Sequence, residues 1–435
     1  MPSERDLVAH LLRRAGFGAF PDAYEYFAGQ GFTATFDWLL DGQRPDDPAI
    51  AELQYDLGTI AGVKRWWLHR LLLTRQPLRE KMVLFWHGHF ATANRKVGNP
   101  GWMAQQLELF RAHALGDFRA LVRSVTYDPA MMRWLDLHGS HRRVPNENYA
   151  RELMELFAIG RGNYTEQDIK EVARALTGWR LDQGKLVFDP GRHDDGIKTV
   201  LGERGNWKAD EVVDIVTRQP ACARFIARKL LAFFVYDDPE PGVVERFAAI
   251  FASSAYSVRA LVEAILRSPE FRSDRAYHAK IKSPVDFVVG ALKDLDVRTV
   301  PAGLNVAAST AAMGQDVLDP PSVKGWDGGS TWLSAGWFIA RCNFVAALLS
   351  GRHPDGRPWV DTMRLAAGFD GGWDTYGIVE RLAQRTLGAD GGAKALDLVA
   401  QAAGDLTDVA NRGRRDQRVR AILHLLLTSP AYQFL

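Results

Sequence analysis

Apolar and polar positions along this chain recur with a helical period far more often than with a strand period. At about 100° per residue, Leu7, Val8, Leu11 and Leu12 share one face, with Ser3 placed to cap the helix they form. Further helices are predicted at about 21–28 and 33–41, from Ile60 to Thr74, from Pro77 through LREKMVLFWHGHF, and near 103–114. In the segment after Pro77 the run from Met82 to Trp86 is apolar without a break, which hides its period.

Three stretches echo one another without gaps: FRALVRSVTYDPAM (118–131), VRALVEAILRSPEF (258–271) and VRAILHLLLTSPAY (419–432). Each reads as an amphipathic helix followed by Asp or Ser and then Pro, a capping residue with a first helical residue, so each Pro is predicted to open a new helix. The uneven spacing argues against a solenoid and for repeated use of one helix–turn–helix unit. Ser283 and Pro284 open a further helix in the same way.

The convincing strand signal lies between residues 179 and 201. Arg180 and Leu181, a turn over 182–185, and Leu186 to Phe188 read as a hairpin, with a third short strand at 197–201. Beyond about residue 300, helices alternate with Gly-rich loops. DPPSVKGWDGG (319–329) has five Gly or Pro in eleven positions, and GFDGGWD covers 368–374; loops of this kind often carry function. The fold predicted is mainly α: a multi-helix body in two lobes, 1–275 and 276–435, joined near 272–283. One small β-hairpin is inserted in the first lobe at 179–201.

The densest stretch is NENYARELMELFAIGRGNYTEQDIKEVARALTGWR, residues 146–180. Read as a regular helix, it puts Glu147, Asn148, Arg151, Glu152 and Glu155 on one arc, with Tyr149, Ala150, Leu153, Met154, Leu156 and Phe157 opposite. Asn146 is placed to cap it, and Gly160 and Gly162 to end it. The next helix opens on Thr165 with Asp168 three residues on, a capping box, and its stripe is Ile169, Val172, Ala173, Leu176 and Trp179. As an ordinary surface helix, the first would carry Glu147–Arg151 and Arg151–Glu155 pairs worth about 0.3–0.5 kcal/mol each. As the wall of a cleft, it would present Asn148, Arg151, Glu152 and Glu155 to a cation, a sugar or a phosphate.

That run, together with FWHGHFAT (85–92), HLLRRAGFG (10–18) and DPPSVKGW (319–326), resembles the bacterial "domain of unknown function 1800" family over nearly the whole chain. The resemblance implies no settled activity. It implies proteins that are often exported and that often neighbour a sulfatase-like partner.

Composition narrows the classes. Of 435 residues, 47% are hydrophobic and 24% charged, ordinary for a globular protein. Lys plus Arg number 54 against 52 acidic residues, so no basic face for nucleic acid is expected. The arginines at 412, 414, 415, 418 and 420 fit a solvated helix start. Cys222 and Cys342, the two cysteines, make no disulfide framework or CxxC zinc spacing and read as core residues. The N-terminal stretch lacks a signal-peptide core and no run of 18 apolar residues occurs. The chain as written therefore reads as soluble and cytoplasmic, with export only if a leader was removed.

Three groups could carry chemistry. His87 and His89 are metal candidates: in an extended segment they share a face, but in a helix they stand about 200° apart and each would be a hydrogen-bonded core histidine. In the loop after the hairpin, Arg192, His193, Asp194, Asp195 and Lys198 fall close together. His193 with Asp194 suits an oriented base, Asp189, Asp194 and Asp195 suit a hard cation, and a polar turn explains the same residues. Lys324 and Trp326 belong to a loop in which Trp326 stacks on a sugar or anchors by burial. GxSxG, Walker-type and HExxH patterns are absent.

These groups are expected to converge in one polar cleft. Glu152, His193 and Asp194 would serve in acid–base catalysis, with Asn148, Arg151, Lys198, Lys324 and Trp326 binding substrate. A divalent cation held by His87, His89, Asp194 or Glu152 belongs to the same picture. The reaction class is hydrolysis or group transfer on a glycan or anionic substrate. The alternatives are a helical scaffold that docks the sulfatase-like partner and a nucleic-acid binder resting on the 412–420 arginines.

Overall fold

The computed structural model describes residues 3–42, 44–182, 184–367, 374–388, 393–404 and 412–435. Of the GFDGGWD loop, residues 368–373 therefore lie outside the described residues. Among the described residues there are 22 α-helices and two antiparallel two-stranded sheets, so the chain is mainly α. The helix starts predicted at Ser3, Thr165 and Ser283 all form, and the box read at Thr165 recurs at the other two. Ser3 with Asp6, Thr165 with Asp168 and Ser283 with Asp286 each form a capping box in which side chain and backbone satisfy each other's free groups. The two helices predicted at about 21–28 and 33–41 both form within Pro21–Leu40, parted by a kink at Gly31 with φ +81°.

Two helices are buried almost all round and form the centre. Eleven residues of Pro77–His89 and ten of Pro284–Asp294 are buried. A helix apolar on every face shows no amphipathic period, which is why the run from Met82 to Trp86 was unreadable. The charges on these helices are paired. Glu80 lies between Arg111 (2.5 Å) and Arg70 (3.0 Å); burial pushes its carboxyl up, but the two guanidinium groups outweigh that and hold it below the usual range. Lys81 meets Asp286 at 2.5 Å, joining the two central helices. This bond, with His10 Nε2 to Phe271 O (3.1 Å) and Lys64 to Asp316, ties the first 100 residues to the chain beyond 270. The buried apolar cluster likewise runs from Val8 to Tyr432.

The echoed segments share one local device. Asp128, Ser268 and Ser429 each accept the N–H three residues on, at 2.8, 3.2 and 3.3 Å. Only Asp128 opens an α-helix, Pro129–Trp134; a turn follows Ser268 and the 3-10 helix Ala431–Gln433 follows Ser429. The predicted second helix is thus corrected at two of the three sites. The first two echoes also touch. Phe118 N–H donates to Tyr256 O (3.0 Å) and Val258 N–H to Gly116 O (2.9 Å), so the two helices begin side by side.

The hairpin forms from strands Trp179–Asp182 and Lys185–Phe188. Trp179 belongs to its first strand, not to the stripe of the preceding helix. The third strand, Lys198–Val200, pairs with Glu203–Gly205 as a second hairpin.

The stretch at 146–158 departs from a regular helix. An α-helix runs only from Asn148 to Glu152, and Leu153–Ala158 is a π-helix, closed by Ile159 N–H on Met154 O five residues back (3.1 Å). The angular step changes at Leu153, so the expected Arg151–Glu155 pair does not form. Glu155 instead takes Arg161 (2.5 Å) and Tyr164 Oη (3.1 Å). Gly160 and Gly162 end the segment in the left-handed region, φ +76° and +82°.

Candidate functional site

The ten sequence candidates fall in three neighbourhoods. The first is the 148–155 surface. Arg151 makes a two-pronged contact with Glu166, both arms at 2.9 Å, and a 3.4 Å contact with Glu147. These are pairs at the water-exposed surface, where solvent screens the attraction. Asn148 is exposed and gives its N–H to Asn146 Oδ1 at 2.8 Å, while the N-cap position itself is Glu147, whose side chain makes no cap bond. Glu152 is half-buried; burial first, and the Glu155 charge second, raise its carboxyl.

The second neighbourhood is the loop after the first hairpin. Asp194 accepts Arg174 through Nε (2.8 Å) and Nη2 (3.1 Å), and these hydrogen bonds hold its carboxyl below the usual range. Lys198 Nζ donates to the carbonyls of Asp194 (2.6 Å) and Gly196 (3.0 Å) and to Asn206 Oδ1 (3.3 Å), so it pins the loop. His193 is buried, with Nδ1–H on Thr177 O at 2.9 Å. The helix Glu166–Ala175 separates this set from the first. Glu166 holds Arg151 and Arg174 holds Asp194, eight residues or about 12 Å along the axis.

The third neighbourhood surrounds a cavity of about 260 Å³. His89, Lys324 and Trp326 line it; Asn148, Arg151, Glu152, His193, Asp194 and Lys198 do not. One helix face supplies a wall. Lys81, Leu84, Phe85, Gly88 and His89 recur at helical spacing along Pro77–His89. Lys229 and Phe233, one turn apart on Pro220–Phe234, face it. Lys280, Ser283 and Asp286 supply the floor, and Lys324, Trp326 and Trp332 the rim.

The rim loop is fastened to the wall. Gly325 has φ +86°, and a Cβ there would stand 2.5 Å from Gly88 O, so only glycine lets the two backbones approach. Leu318 N–H donates to His87 Nε2 at 3.0 Å, Leu318 O accepts Asn94 N–H at 2.9 Å, and Arg95 meets Asp319 at 3.0 Å. His87 therefore holds the loop from the side of the helix opposite His89, with its ring 5.5 Å from that of Trp326.

His89 gives its Nε2–H to Phe157 O at 2.9 Å, so the proton sits there and Nδ1 carries a lone pair. That Nδ1 is buried without a partner among the described residues. Burial lowers the pKa of His87 to about 3 and that of His89 well below the ordinary value, which keeps both neutral at pH 7. The two imidazoles lie on one regular helix about 200° apart. Among the described residues, no group of three or more His, Cys, Asp or Glu is arranged to hold a metal ion.

Charge is what distinguishes the cavity. Three of its lysines have carboxylate partners: Lys81 with Asp286, Lys280 with Asp237 and Lys324 with Asp327. Lys229 has none among the described residues. Its Nζ lies 5.2 Å from the centroid of the Phe225 ring, and desolvation brings its amine down to about 8. At neutral pH it is still mostly a cation, facing an aromatic-walled hollow without a counter-ion. Sequence analysis missed Lys229, Lys81 and Lys280. The available signal was the spacing of Lys81, Phe85 and His89 and of Lys229 and Phe233, which puts a lysine and an aromatic on one face of each helix.

Fold and site define a mainly helical protein with a lysine-rich, tryptophan-rimmed cavity. The family model described as "Protein of unknown function (DUF1800)" matches residues 10–434, and the chain belongs to that family. No curated protein and no solved structure matches it. No described helix is long and apolar enough to cross a membrane.

Proposed function

We propose that the cavity between Pro77–His89 and Pro220–Phe234 is where this protein takes an anionic substrate, a saccharide bearing a sulfate or carboxylate. The observation that carries this is Lys229, a cation facing the hollow with no carboxylate among the described residues. Lys229 is half-buried, and a partly desolvated charge without a counter-ion is costly unless something completes it. Trp326, a partly exposed lining residue, suits the apolar face of a sugar ring, and the volume is near the lower end for small-molecule sites.

Calorimetric titration of a sulfated disaccharide and its unsulfated parent tests this. The sulfated form is expected to bind at least tenfold tighter, with the preference lost in Lys229→Met. Equal affinity for the two sugars, or no binding of either, would overturn it.

A further inference from the structure

A second hollow, of about 580 Å³, opens beside the GFG segment at 16–18. Its walls are largely apolar, with Phe20, Phe27, Trp38, Leu72 and Leu73 among them, and its charged residues are Asp22, Asp47, Arg75, Arg298 and Lys293. Four of the five are paired: Asp22 with Arg298 at 2.7 Å and Asp47 with Arg75 at 3.0 Å. Lys293 is the remainder. It is 4% exposed; its Nζ reaches Gly18 O at 3.5 Å, with the Phe20 ring centroid at 5.9 Å, and the carboxyl that acts on it, Asp294, makes no ion pair with it among the described residues and accepts Tyr432 Oη–H at 2.7 Å. Both neighbours line the same hollow, so the ammonium is turned toward it. Burial brings the amine down to about 8, which leaves a cation at pH 7 in apolar surroundings.

We propose that this hollow is a second ligand site, independent of the lysine-lined cavity, and that it takes an amphipathic carboxylate. The apolar chain lies along Phe27, Trp38 and Leu72, and the carboxylate meets Lys293. The volume lies well within the range for small-molecule sites. The charge pattern selects the headgroup, since a carboxylate completes the one unpaired cation whereas an amine adds a second. An uncharged head leaves the cation as it was.

Decanoate, decanol and decylamine, titrated calorimetrically below their aggregation limits, test the proposal. Decanoate is expected to bind the native protein at least tenfold tighter than decanol, with decylamine weakest. Lys293→Met should equalise decanoate and decanol while keeping decanol affinity. Lys229→Met should leave decanoate binding unchanged, which separates this hollow from the other cavity. Ala23→Trp, at a half-buried helix position lining the hollow, should block both ligands and serves if Lys293→Met does not fold. Equal affinities in the native protein would overturn the proposal. So would a carboxylate preference that survives Lys293→Met, or decanoate binding that Ala23→Trp leaves intact.

Discussion

Replacing Lys229 by Met separates a binding lysine from a structural one, because stability and affinity should move in opposite directions. An amine that titrates near 8 instead of the ordinary 10.5 is penalised as a cation in the folded state by about 3 kcal/mol. Methionine keeps the stem and removes the charge, so the variant should gain about 1–3 kcal/mol at pH 7. The sign with pH follows. The folded pKa lies below the unfolded one, so the unfolded chain holds more protons between 8 and 10.5, and native stability rises across that window. The variant's advantage should therefore be full at pH 7 and fade by pH 10.5. Affinity for the sulfated disaccharide should fall about 10- to 100-fold, the worth of one charge-assisted contact. Urea denaturation at both pH values and calorimetry supply the two numbers. A variant less stable than the native protein at pH 7, or one that binds the sulfated sugar equally well, would refute the reasoning.

Three other substitutions probe the supports of the site. His87→Phe removes the acceptor for Leu318 N–H and should destabilise by about 1–3 kcal/mol; urea curves that do not differ would count against that role. Gly325→Ala places a Cβ 2.5 Å from Gly88 O at φ +86° and should detach the rim loop, costing about 1–3 kcal/mol and lowering sugar affinity; unchanged melting and binding would contradict the close approach. Asp128 is buried and its carboxyl is raised to about 7, chiefly by that burial. Its folded pKa lies above the unfolded value, so the stability it contributes is full below about 4 and lost as pH rises through 7. Asp128→Asn keeps the cap and should be more stable than the native protein at pH 8, with the gap narrowing toward pH 4; a gap that does not change with pH would rule this out.

Local rules read much of this fold correctly and failed where partners are distant. The cap at Ser3, the helix start at Ser283, the box at Thr165 and the hairpin turn near Gly184 depend on residues three or four apart, so the sequence displays them. The π turn at Leu153–Ala158 follows from packing that no local period announces. The cavity is assembled from parts far apart in the chain: the Lys81–Asp286 contact alone spans 205 residues. Lys324 and Trp326 stood out because a long Gly-rich loop invites attention, and they do line the cavity. Lys229 did not, because in ARFIARKLLAFF a lysine at that spacing looks the same whether its head meets water or a hollow. The charged arc at 147–155 drew weight by its density, yet density of charge on a short helix mainly reports a surface.

Proton uptake on binding tests the anion site most directly. If the substrate's negative group settles on Lys229, it restores that amine's ordinary basicity, so at pH 8 binding must draw in about half a proton per ligand. Titrating the sulfated disaccharide in two buffers of different ionisation enthalpy measures this. The account predicts an uptake near one half in the native protein and near zero in Lys229→Met. A binding heat independent of buffer in the native protein would contradict it.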